Sequence, residues 1–367
     1  MSRSESVASG REQRVLRIIE TARSKPARFR DERITLAHGA GGKATQTLIE
    51  GLFVPAFTTP EGALAGLADA GAIAIDGVRL AMTTDSFVVK PLRFPGGSIG
   101  ELAVNGTVND LAVSGARPLS MTVSMILEEG LDATVLRAEV EAIAQAAQSA
   151  GVEIVAGDTK VVERGAADGM YLCTTGIGAV DGRAHVATNA IRSGDQVLVS
   201  GPIGEHGTAI MLARNQFDLD ASIESDTCSL WPAVDALLDA AGAELHCMRD
   251  ATRGGVASVL NELARASGVA VVVREANVPV SPIVAAAAEL LGIDPMYVAN
   301  EGRLVAFVAP HVTERALEAL TSVPGCEGAA LIGEVRREPP GMVTVETSFG
   351  GRRVMDQLVG DPLPRIC

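Results

Sequence analysis

The stretch 101-ELAVNGTVNDLAVSGA-116, followed at once by 119-LSMTVSMIL-127, decides the fold. The first run is a helix of small residues that Gly115 closes, and the second reads as a strand. The next run, 132-DATVLRAEVEAIAQAAQSAG-151, carries a clear apolar stripe. Its Asp132 suits an N-cap and its Gly151 a C′ position. Strands follow at 152-VEIVAG-157 and 170-MYLCTTGIGAV-180. Upstream, 72-AIAIDGVRLAMTTDSFVV-89 gives two β runs around an Asp-Gly turn. This alternation is that of an α/β (α+β) domain.

At 367 residues the chain is long for one core, and two domains are expected. Residues 1–32 are polar, with one apolar knot at 15-VLRII-19, and read as an extension. The turn-forming 189-NAIRSGDQ-196 marks a boundary between domains at 33–188 and 189–349. The second half repeats the alternation, with strands at 197–201, 269–273 and 303–309 and helices at 207–214, 229–241, 253–267, 281–291 and 313–321. A final hairpin is expected near 329–347, and 350–367 reads as a flexible tail ending in 364-PRIC-367. An echo of 109-NDLAVSG-115 in 261-NELARASG-268 fits related halves, but alanine-rich helices match each other easily and chance is the stronger account.

Hydrophobic residues make up 47% of the chain and aromatics only 3%, so the cores rest on Ala, Val, Leu and Ile. The net charge is −14 and the basic residues are scattered singly, which argues against nucleic acid or an anionic membrane surface as partner. No apolar run reaches the roughly 18 residues of a membrane span. The first residues, MSRSESVASGREQR, lack the apolar core of a signal peptide. Five widely spaced cysteines, without a CxxC pair, point to reduced thiols and the cytoplasm. Cys173, Cys228, Cys247 and Cys326 read as small buried hydrophobes. Cys367, the last residue, stands apart: a terminal thiol behind Pro362 and Pro364 is either an accident or a reactive handle.

Three sets of residues carry possible chemistry. In 38-HGAGGK-43, glycine amides and Lys43 are placed to meet a phosphate, although the Walker A pattern is absent and a plain glycine turn explains the segment equally well. Asp85, Asp110, Asp158 and Asp250 each lie at the end of an apolar run or on the first turn of a helix. One such aspartate usually caps a helix; four with glycine-rich neighbours suit Mg²⁺ bridging phosphates. Lys160, close behind Asp158, and Glu301 in 299-ANEGRL-304 are either structural partners of buried charge or a charge stabiliser and general base.

Together HGAGGK, TTDSF, VNGTVNDLAVSGARP, VAGDTKVV and DATRGG, in this order from residue 33 onward, resemble the AIR-synthase-related (PurM-like) ATP-binding superfamily. Within it the terminal PRIC is similar to the carbamoyl dehydratase (HypE) family of NiFe-hydrogenase maturation. The resemblance implies a dimerising N-terminal sheet domain, a C-terminal α/β domain and a mobile tail. It also implies ATP and Mg²⁺ in a cleft that a neighbouring subunit completes. It assigns metal binding to Asp85, Asp110 and Asp250, and nucleotide binding to Gly41, Gly42, Lys43, Asn105, Asp110, Asp158 and Thr159. Catalysis falls to Cys367, Lys160 and Glu301. The implied reaction is ATP-dependent dehydration of S-carbamoyl-Cys367 to S-cyano-Cys367, loaded by a HypF-type carbamoyltransferase and delivered to a HypC–HypD-type iron scaffold. A selenophosphate synthetase or small-molecule kinase of the same superfamily is the alternative; either would have no use for Cys367. A non-catalytic scaffold would dock through its tail without ATP-dependent chemistry.

Overall fold

The computed structural model describes residues 28–58, 68–214, 223–358 and 365–367. The 15–19 knot, Pro362 and Pro364 lie outside them. A short helix, α1 (Lys43–Leu48), leads into strands β1 (Gly71–Ile75) and β2 (Val78–Phe87). Asp76 and Gly77 turn between these two strands with φ of 49° and 83°, as the Asp-Gly pair predicts. A small ribbon, β3 (Arg93–Phe94) with β4 (Gly97–Ser98), precedes α2 (Ile99–Val113) and β5 (Ala116–Glu128). Then come α3 (Ala133–Ala150), β6 (Glu153–Val162) and β7 (Met170–Val180). Asp132 caps α3 by accepting from the Thr134 amide, and Gly151 ends it with φ 68°.

These strands form a five-stranded sheet in the order β1-β2-β7-β5-β6. Helix α3 is the crossover that lets β6 run parallel to β5. One face is covered by α2, which is buried on nearly every side. The other face is open, and Ile73, Ile75, Val78, Met82 and Ile126 are exposed on it.

The second domain contains β8 (Gln196–Val199), α4 (Glu205–Ala213), α5 (Trp231–Ala241), β9 (Leu245–Asp250), α6 (Gly255–Ser267) and β10 (Ala270–Arg274). It continues with α7 (Pro282–Leu291), β11 (Leu304–Val308), α8 (Thr313–Thr321), β12 (Ala330–Arg336), β13 (Met342–Glu346) and β14 (Arg352–Val354). The seven-stranded sheet has the order β14-β13-β10-β12-β8-β11-β9. Its strands read as continuous apolar runs because helices cover both faces, α6 on one and α5 with α8 on the other.

Four expectations are corrected here. The pair at 329–347 is not a hairpin: β12 and β13 lie on opposite sides of β10, and β13 runs parallel to it. The true hairpin is β13 with β14, so part of the expected tail belongs to the sheet, where its backbone is paired. Asp110 lies in the last turn of α2, not the first of a helix. Of the cysteines read as buried, Cys247 and Cys326 are so, whereas Cys173 is half-buried and Cys228 exposed. Cys228 sits in an irregular connection ahead of α5, outside either sheet.

Candidate active site

Helix α2 is wedged between the two domains and fixes the site. Asn109, one turn before its end, donates to the carbonyls of Cys228 at 3.0 Å and Glu301 at 3.2 Å, and accepts from the Leu230 amide at 2.7 Å. Asn105, four residues earlier, reaches Thr227 at 3.3 Å. One face of this helix therefore clamps second-domain loops against the first sheet. The neighbouring Asp110 points toward β2, where the Thr83 hydroxyl donates to it at 2.7 Å.

Carboxylate oxygens of Asp69, Asp110 and Asp250 lie within 4.8 Å of one another. They come from the approach to β1, the end of α2 and the last residue of β9. Asp85 lies beside them and shares a hydrogen bond with Asp110. Burial, then the charges of Asp250, Asp85 and Asp69, hold the Asp110 carboxyl well above the usual range. Burial and then Asp69 push Asp250 up to about 8. Buried carboxylates this close repel unless a cation joins them. An all-oxygen set suits Mg²⁺, so the residues present fit that ion. Arg249 supplies one counter-charge, with Nε 2.8 Å from Asp69 Oδ1.

The glycine loop lies against this cluster. Gly41 has φ 74°, and a Cβ there would meet the Arg253 carbonyl at 2.7 Å. Arg253 in turn donates to the Gly39 carbonyl at 3.2 Å. A cavity of about 710 Å³ opens beside the loop, lined by Gly41, Gly42, Asp69, Arg249, Glu262 and Arg265. That is a volume suited to a small ligand such as a nucleotide. Lys43 extends away from this cavity to Asp356, 2.8 Å distant.

A second, smaller cavity of about 180 Å³ holds the end of the chain. Cys367 lines it together with Gly39, Ala40, Ser86, Arg253 and Tyr297. Ile366 is 4% exposed and packs into the first domain's core. Cys367 thus shares this cavity with Arg253, whose guanidinium feels Cys367 first and then Asp85, Glu301 and Asp110. Glu301 is 3% exposed and its Oε1 has no partner among the described residues. Its backbone amide donates to Asp226 Oδ1 at 3.0 Å. Burial, followed by Asp250 and Asp226, raises its carboxyl well above the ordinary range; Arg253 opposes this.

Of the residues assigned by resemblance, Gly41, Gly42, Asp85, Asp110, Asp250, Glu301 and Cys367 come together, whereas Asn105 reaches Thr227 on the clamping face of α2. Asp158, Thr159 and Lys160 do not join them within one chain. They lie on edge strand β6, where Lys160 pairs with Asp158 at 2.7 Å with both side chains more than half exposed. The register Ser86–Cys173–Ser124–Asp158 places Asp158 three strand spacings from β2, about 14 Å. Asp69, Arg253, Arg249 and Asn109 were missed. Asp69 follows the same rule as the other aspartates, a carboxylate beside a strand, and Arg253 lies inside the DATRGG motif.

Residues 67–180 match the AIR synthase related protein, N-terminal domain, and residues 192–346 the corresponding C-terminal domain. Carbamoyl dehydratase HypE of Rhodobacter capsulatus is 47% identical, with 92% of this chain and 99% of that protein aligned. The chain belongs to the HypE family of carbamoyl dehydratases. The Escherichia coli HypE is 45% identical over 91% of this chain and 99% of its own length. The solved structure of a HypE in complex with ATP superposes with a TM-score of 0.76 at 43% identity, covering 91% of this chain and all of that one. A HypE–HypF complex gives 0.80 at 43% identity, covering 85% and 99%. Thiamine monophosphate kinase of Aquifex aeolicus, 19% identical with a TM-score of 0.58 over 79% of this chain and 92% of its own, shares the fold. Among the described residues no helix is long and apolar enough to cross a membrane.

Proposed function

We propose that this HypE-family chain dehydrates a carbamoyl group carried on its own Cys367, using ATP, and leaves S-cyano-Cys367. The observation that carries this reading is the docked terminus: Cys367 lines a cavity walled by Gly39, Ala40 and Arg253, and Arg253 interacts in turn with Asp85 and Asp110 of the carboxylate cluster. A kinase or synthetase acting on a free substrate has no need of a thiol there.

Asp69, Asp110 and Asp250, with Asp85 beside them, would hold Mg²⁺, and Gly41 and Gly42, with Asn105 on the neighbouring helix, would border the nucleotide. When bound, Mg²⁺-ATP supplies the phosphoryl group that turns the carbamoyl oxygen into a phosphate leaving group. Arg253 orients the loaded cysteine and balances charge around it. Glu301 accepts a proton from the amide nitrogen as the carbon–oxygen bond breaks, and burial, which holds its carboxyl well above the ordinary range, strengthens it as a base. The second nitrogen proton leaves to solvent, and the nitrile remains on the cysteine sulfur.

Lys160 lies on the open sheet face beside Ile126, and a second copy packed on that face would bring its Asp158, Thr159 and Lys160 to this cleft. A HypF-type carbamoyltransferase loads Cys367, a pairing supported by the HypE–HypF complex, and a HypC–HypD-type iron scaffold receives the cyano group. Five cysteines outside any disulfide suit the cytoplasm. Intact-mass spectrometry after incubation with carbamoyl phosphate, the carbamoyltransferase and ATP tests the reading. Gain of a carbamoyl group and then loss of water, both at Cys367, is expected; an unmodified Cys367 overturns it.

A further inference from the structure

The last three residues dock by main-chain recognition. The Val88 amide donates to a terminal carboxylate oxygen of Cys367 at 3.1 Å and the Lys90 amide to the Arg365 carbonyl at 3.4 Å. The tail thereby lies along the segment that follows β2, with Arg365 in the left-handed region at φ 57°. Two residues of the other domain reach the same segment. His206, in the first turn of α4, places Nε2 2.7 Å from the Ile366 carbonyl and Nδ1 2.8 Å from the Ser225 hydroxyl. The carbonyl can only accept, so Nε2 carries the proton and Nδ1 accepts from Ser225. His206 is 0% exposed, with its ring edge-on to Phe94. Arg214, the C-cap of α4, donates Nη2 to the Arg365 carbonyl and Nε to the Lys90 carbonyl at 2.7 Å. The Arg365 side chain is gripped as well: Nη1 lies 2.6 Å from Asp168 Oδ2, and Nε donates to the Val88 carbonyl at 3.2 Å.

We propose that His206, Arg214 and Asp168 form a receptor for Arg365-Ile366-Cys367 that positions the loaded sulfur for dehydration and protects it from solvent. The inference rests on the reaction assigned above. These groups read two backbone carbonyls and a guanidinium, so the receptor accepts the tail whatever the sulfur carries. It also touches the base: Ser225, bonded to His206, precedes Asp226, which holds the Glu301 amide. These are positioning residues, acting through the tail and not on the reacting atoms.

The test uses the full-length protein and three readouts: the rate at which iodoacetamide alkylates Cys367, the rate of single-turnover dehydration of preloaded protein, and the melting temperature. Arg214→Ala and His206→Phe are expected to speed alkylation and slow dehydration by about tenfold or more, the effect of losing a buried or charge-assisted hydrogen bond. Asp168→Asn should act in the same direction, and His206→Gln, which keeps a donor, should recover toward wild type. Carbamoyl loading by the transferase, which needs the thiol outside, should be as fast or faster. Arg214 and Asp168 are only part-buried, so these variants keep the test available if His206→Phe does not fold. Unchanged alkylation in Arg214→Ala and Asp168→Asn at wild-type melting temperature overturns the receptor. Failure of the wild type to form thiocyanate sinks the reaction instead, and the alkylation rates still judge the receptor.

Discussion

Glu301 and Asp69 show how much one position decides. Glu301 is buried, carries an oxygen without a partner among the described residues, and sits with Asp226 and Asp250 nearby. Its folded pKa is raised, so between the ordinary and the raised value the folded state holds more protons than the unfolded one, and rising pH erodes stability there. Glu301→Gln removes that penalty. The variant should melt no lower than wild type at pH 8 while losing about 10²-fold or more in dehydration rate. The wild-type rate should climb with pH through the raised pKa. A Glu301→Gln protein that dehydrates normally in single-turnover mass spectrometry rules the residue out as base. Asp69→Asn, at the carboxylate cluster, should weaken Mg²⁺-dependent ATP binding in calorimetry, whereas a surface aspartate such as Asp76 should not.

At the scale of elements, the glycine loop and α4 are each held by a fitted contact. Gly41→Ala must place a Cβ against the Arg253 carbonyl from a left-handed backbone. A loss of about 1–3 kcal/mol is expected in chemical unfolding, with weaker ATP binding because Arg253 is displaced. Helix α4 brings in a buried imidazole. Burial drives His206 down to about 4; the Ile366 carbonyl opposes this, and Arg214, the charged group facing it, adds to it. A histidine depressed in the folded state contributes stability above its ordinary pKa near 6.5 and loses it as pH falls toward 4. That loss is on the order of 3 kcal/mol. The wild-type melting temperature should therefore drop more steeply than that of His206→Gln between pH 6.5 and 4. Parallel curves would show that the imidazole does not titrate with unfolding.

For the whole molecule, the open sheet face is the outstanding feature. Ile73, Ile75, Val78, Met82 and Ile126 are exposed across its strands, an apolar patch of the kind that marks an interface. A dimer is expected in sedimentation, and Met82→Glu with Ile126→Glu should shift it to monomer. If Lys160 serves the partner's cleft, mixing inactive Lys160→Ala and Glu301→Gln proteins rebuilds one complete cleft in each mixed dimer. Random reassortment should then recover about a quarter of wild-type activity. No recovery would place Lys160 in its own chain's cleft, and a Lys160→Ala protein active by itself would place it outside the reaction.

The sequence by itself determined the elements, because the signals for them are local. The Asp-Gly turn at 76–77, the Asp132 cap, the closing Gly151 and the apolar stripe of α3 act over a few residues, and each is where the pattern puts it. It also marked Cys367, Glu301, the glycine loop and most of the aspartates, since charged or reactive residues beside apolar strands are costly and visible. Only the tertiary structure decided which of them meet. Asp69 joins Asp110 and Asp250 because β1, α2 and β9 converge from positions up to 181 residues apart in sequence. Asp158 and Lys160 separate from that cluster because β6 occupies the far edge of the sheet. The insertion of β10 between β12 and β13, and the docking of the last three residues on Val88, His206 and Arg214, are long-range pairings. Such pairings depend on which backbone groups are left to pair once both sheets have formed, which no short stretch of residues encodes.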